Sequence, residues 1–156
     1  MGATALIATV VAMRQPTING WLAVWLAEAL VGFTMALFSM RQKASRQGTD
    51  MLSAAGRRLL MGLLPALAAG SVLTAAMVWD GSTRLVPGVW LLLYGIGVVQ
   101  AGAFSVRVVP AMGAVFIVLG AIALPMPWLW SNIMLAAGFG LAHIGFGAFI
   151  ASRHGG

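Results

Sequence analysis

Residues 21–46 read WLAVWLAEALVGFTMALFSMRQKASR, and this stretch decides the fold class. From Trp21 to Met40 it carries one charge, Glu28, and then Arg41, Lys43 and Arg46 follow almost at once. A helix rises about 1.5 Å per residue, so roughly twenty apolar residues cross the hydrocarbon layer of a bilayer. A basic cluster directly after such a run marks the cytoplasmic end of a membrane helix. The stretch therefore reads as a membrane span followed by a cytoplasmic anchor.

Working outward, the pattern recurs at 59–79, 87–105, 110–126 and 132–151, which makes five full spans. Residues 1–13 are also apolar but too short to span unaided, and they read as a short or partial sixth helix. They lack the basic start of a signal peptide. The 156-residue chain is 61% hydrophobic and 8% charged, with a mean hydropathy of +0.98. A soluble domain is nearer a quarter charged, and a chain this short cannot hide so much apolar surface from water. The expectation is an all-α, polytopic transmembrane helix bundle forming a single domain over 1–156, with the lipid bilayer as its solvent.

Orientation follows from charge. The 41–58 segment holds Arg41, Lys43, Arg46, Arg57 and Arg58 against the single acid Asp50, which predicts a cytoplasmic loop. Alternation then puts Arg107 and the C-terminus on the same side, so seven of the nine basic residues lie inside. Trp21, Trp25, Trp79, Trp90, Trp128 and Trp130 all fall near outer ends, where indole rings prefer the headgroup layer. The net charge of +6 is thus a topology signal; without a basic helix or soluble domain, nucleic-acid binding is excluded. Phe38-Ser39-Met40-Arg41 and Phe104-Ser105-Val106-Arg107 echo each other, as do Met61-Gly62 and Met112-Gly113, in the manner of a duplicated hairpin.

Few residues can carry chemistry. There is no cysteine, no set for acyl transfer and no pair of neighbouring carboxylates, so the chain reads as a non-enzyme without a metal site. Glu28 is an acid inside a span, either an ion or proton site or a hydrogen-bonded packing group. Tyr94 has a similar expected depth and is a candidate donor to it. His143 lies near mid-membrane, with Gly140 and Gly147 leaving one helix face beside it bare. That face suits a second helix, or a haem or chlorophyll held by His143 as axial ligand, with Gln100 as a hydrogen-bond partner of the imidazole. No cofactor is otherwise implied. No helix shows the paired Pro and Gly breaks that mid-membrane binding sites often use.

Residues 21–28, the run Gly102-Ala103-Phe104-Ser105-Val106-Arg107, and the ending Arg153-His154-Gly155-Gly156 resemble an uncharacterised family of small bacterial multi-spanning membrane proteins. The resemblance covers most of the chain from Trp21 onward. Members carry more sequence before the first helix, in keeping with a partial span at 1–13. It implies a bacterial inner (cytoplasmic) membrane location, and no activity or ligand. Three function classes remain. The residues favour an accessory or regulatory component that contacts other membrane subunits or its own copies. A small transporter or channel would use Glu28, Tyr94, Gln100 and His143, all on inward-running helices. A pigment or haem carrier would use His143.

Overall fold

The computed structural model describes residues 1–47, 54–103 and 106–154. Helix α1 (Gly2–Met13) turns into α2 (Ile18–Gln47), and α3 (Ala54–Asp80) follows. A single 3-10 turn, Thr83–Leu85, leads into α4 (Val86–Gly102), and α5 (Val108–Ala123) returns beside it. The last long helix has three parts: α6 (Trp128–Leu135), a π-helical segment (Ala136–Ala142) and α7 (His143–His154). Among the described residues there is no strand. The all-helical bundle is as the composition demands. In lipid a helix satisfies its backbone groups internally, which an open strand cannot do.

Four stretches are long and apolar enough to cross a membrane: Ile18–Gln42, Leu60–Asp80, Thr83–Gly102 and Trp128–Arg153. Gly2–Met13 and Val108–Ala123 are shorter. The second of these corrects the 110–126 expectation, because α5 ends at Ala123 and Pro125 and Pro127 lie in the following turn. The basic region also differs from the expected loop. Arg41, Lys43 and Arg46 continue α2 as helix, and Arg57 and Arg58 belong to the first turns of α3. Arg, Lys and Gln are good helix formers, so the helix does not stop where the apolar run stops. Asp50 lies outside the described residues. The final helix likewise starts at Trp128, not 132.

Local chemistry sets the helix ends. Gly81 follows α3 with φ +77°, the left-handed geometry that a helix terminus needs and that only glycine adopts without cost. Pro87 occupies the first turn of α4, where its missing N–H is no loss. The turn into α6 is closed from within. Ser131 is fully buried, and its hydroxyl lies 2.9 Å from the carbonyl of Ala123.

The helices pack as a row in the order α3, α4, α5, last helix, α1, α2, with α6 also touching α4. The α4–α5 hairpin is the tightest part, and glycine is the reason. Gly88, Gly95 and Gly102 recur every seven residues on α4, and Gly113 and Gly120 do so on α5. A Cβ at Gly95 would stand 2.7 Å from the carbonyl oxygen of Gly113, and a Cβ at Gly113 as close to that of Gly95. A seven-residue repeat keeps one stripe on one helix face, so bare glycine lets the two backbones touch along their length. By contrast, α2 and α3 share no packed face among the described residues. That contrast does not follow the duplicated-hairpin pattern suggested by the Phe-Ser-x-Arg echo.

The buried core comprises Phe116, Leu91, Leu135, Val86, Ala123, Ala12 and Trp21. Trp21 is thus no lipid-facing anchor. Trp79 fits the belt expectation best at 94% exposed, and Trp128 and Trp130 are exposed too. Trp90 is partly buried against Gly70 and donates its indole N–H to Thr74 at 2.9 Å.

Candidate functional site

The most chemically distinct region sits where the π segment meets α4 and α5. A π turn is wider than an α turn and is frequent at functional sites, because it redirects the side chains on either side of it. Here the sequence AAGFGLA supplies the bare backbone. A Cβ at Gly138 would come 2.6 Å from the Leu91 side chain and 3.1 Å from the Phe116 ring. A Cβ at Gly140 would collide with Leu6 of α1. The two glycines admit neighbours on opposite sides of the helix, and the helix widens between them. The final span is continuous helix from Trp128 to Arg153, with the π segment inside it.

His143 is the first residue after the π segment. Its Nε2 lies 2.9 Å from the hydroxyl of Tyr94 on α4, and its Nδ1 lies 3.4 Å from the carbonyl of Gly138. A carbonyl only accepts, so that contact places a proton on Nδ1. The neutral ring then accepts the Tyr94 O–H at Nε2. Two phenylalanine rings hold the pair in place. His143 stacks on Phe139 at 13° and meets Phe116 edge-on at 82°, while Tyr94 contacts both phenylalanines at 4.9 Å between centroids. Aromatic pairs at such distances add specific geometry to plain burial.

Two further polar pairs lie in the bundle. Glu28 accepts a hydrogen bond from Thr4 of α1 at 2.8 Å. Trp21 donates its indole N–H to Asn132 at 2.8 Å, and Asn132 donates in turn to the carbonyl of Trp128 at 2.7 Å. Trp25, one turn below Trp21, packs on Phe139, and its buried indole N–H has no hydrogen-bond partner among the described residues.

The four candidates from sequence therefore do not gather in one place. Tyr94 pairs with His143 and not with Glu28. Gln100 is exposed, and the imidazole partner is Tyr94. The face beside His143 is bare only in part, since Gly140 is covered by Leu6 while Gly147 opens on empty space. Among the described residues there is no group of three or more His, Cys, Asp or Glu side chains that could hold a metal ion. Thr4, Asn132, Phe116 and Phe139 complete the polar and aromatic contacts and were not singled out from sequence. The doublet Gly138-x-Gly140 beside His143 was the visible signal of a special backbone there. Comparisons with protein-family models, with curated proteins and with solved structures find no match to this chain.

Chemically, the Tyr94–His143 pair offers one hydrogen bond across α4 and the last helix. The nitrogen that an axial haem or chlorophyll ligand would offer is the one engaged by Tyr94. Nothing links this pair to the Thr4–Glu28 pair by hydrogen bonds among the described residues.

Proposed function

We propose that this chain is a non-catalytic, multi-pass component of a bacterial inner-membrane assembly, an accessory or regulatory subunit that acts through helix contacts. The observation that carries this reading is the pairing of its intramembrane polar groups. Thr4 with Glu28, Tyr94 with His143 and Trp21 with Asn132 each join two helices of the same chain. Polar side chains used in this way act as packing bonds and leave little for a passing solute.

The topology that goes with it has five spans plus the short α1, with residues 41–58 and the C-terminus cytoplasmic. In support, α5 is short but returns along α4 from Gly102 to Gly88, so it crosses whatever α4 crosses. The surface offered to a partner subunit is the exposed part of α2, at the end of the row, with Leu26, Leu30 and Phe33 on one face and Phe38 beside it.

The test is co-purification of a tagged chain from its native membrane in mild detergent, with partners weighed by mass spectrometry. A stoichiometric partner that is lost when Leu30 and Phe38 become alanine, and kept when exposed Val118 of α5 does, is the expected result. A clean chain that conducts ions in vesicles and stops doing so on Glu28→Gln would replace this reading with transport. A coloured preparation bleached by His143→Ala would replace it with pigment binding.

A further inference from the structure

Between the beginning of α5 and the first half of α7 the surface forms a shallow, open groove of about 510 Å³. Its wall on the last helix is the stripe Ala142, Gly145, Phe146 and Phe149, which lie three, four and seven residues beyond Ala142 and so on one helix face. Gly145 deepens it, because a Cβ there would meet nothing within 4 Å. Among the described residues the lining apart from Arg107 is apolar. A second cation lies next to the lining residue Phe149. The guanidinium of Arg153, one turn beyond Phe149, lies 5.8 Å from the centre of that ring.

We propose that this groove binds an anionic phospholipid, its phosphate held by Arg107 and Arg153 and one acyl chain lying along Gly145 and Phe149. The charge layout selects the occupant. Two guanidiniums at the end of an apolar channel match a molecule with an anionic head and an apolar tail. Guanidinium pairs with phosphate through two parallel hydrogen bonds. A zwitterionic lipid brings an ammonium to the same end and weakens the attraction. A partner helix would have to bring carboxylates to that level. The inference concerns the isolated chain and does not depend on the accessory-subunit reading.

Native mass spectrometry of the full chain in non-ionic detergent tests it, with phosphatidylglycerol, phosphatidylcholine and inorganic phosphate as probes. Phosphatidylglycerol is retained in preference to phosphatidylcholine. Arg107→Gln and Arg153→Gln each reduce that retention about fivefold. Gly145→Leu, whose side chain enters open space, displaces the lipid with no loss of thermal stability. The proposal is overturned by equal retention of the two lipids, by retention unchanged in Gly145→Leu, or by displacement of the adduct with inorganic phosphate alone. Should either arginine variant fail to fold, the lipid preference of the wild type and the Gly145→Leu result still decide the matter.

Discussion

Gly95 and Gly113 meet across the α4–α5 hairpin at backbone distance, whereas Gly32 near the middle of α2 meets only the flexible end of the Met1 side chain. Both regions are written in nearly the same apolar alphabet. Yet 44% of the most apolar stretch of α4 is buried inside the protein, against 6% for α2. The difference lies in spacing. In lipid, apolar area alone does not drive helices together, because the acyl chains are as apolar as leucine. Close backbone approach and shared polar groups do, and α4 and α5 have glycine every seven residues to permit it. The outer face of α2 has large side chains instead, and it remains at the edge.

The comparison breaks most sharply at the glycine stripe. Gly95→Leu drives a side chain into the Gly113 carbonyl and forces the hairpin apart, at about 3 kcal/mol or more. Thermal unfolding in detergent should show the folded population collapse, while Leu30→Ala on α2 leaves the midpoint where it was. Equal stability of Gly95→Leu and the wild type would mean that glycine contact is not what holds α4 to α5.

Next in size is the buried polar tie at the end of the row. Asn132→Leu strands the Trp21 indole N–H and should cost about 1–2 kcal/mol. A double-mutant cycle with Trp21→Phe should return a coupling of about 1 kcal/mol, and additive effects would show the bond to be idle. Tyr94→Phe is milder, at about 0.6–1 kcal/mol. Its sharper readout is the nitrogen NMR signature of His143, which should show a proton on Nδ1 and an Nε2 resonance that moves when the tyrosine hydroxyl is removed. An Nε2–H tautomer in the wild type would contradict the arrangement described.

Smallest is the effect on stability of trimming the α2 face. Leu30→Ala and Phe38→Ala should each stay within about 0.5 kcal/mol of wild type, since neither side chain is packed within the chain. A large loss there would mean that α2 is held to the bundle by contacts of its own outer face.

Much of this was legible from residues alone, and the remainder has identifiable causes. Hydropathy located every helix, because each apolar run is bounded by charge, proline or glycine. It misjudged the ends of α2 and α3, where Arg41 to Arg46 and Arg57 leave the apolar layer without leaving the helix. The seven-residue ladder Gly88, Gly95, Gly102 is plain in the sequence, but its spacing was not used. The pairing of Tyr94 with His143 was hidden for a different reason. Depth along a helix can be counted from its end, but the direction a residue faces depends on rotation, and the π segment adds a residue to the turn just before His143. The partner of Glu28, Thr4, lay on a helix too short to have been considered a neighbour.

Under the proposed function α2 is an interaction surface and the α4–α5 hairpin is not. A photo-crosslinking residue placed in living membranes at Leu30, at Phe38 and, as control, at Val118 on the exposed side of α5 distinguishes the two. Crosslinks from both α2 positions to one protein species, with only lipid adducts from position 118, are the predicted result. Lipid adducts alone from all three positions would contradict the claim and leave α2 as a helix that simply faces the bilayer.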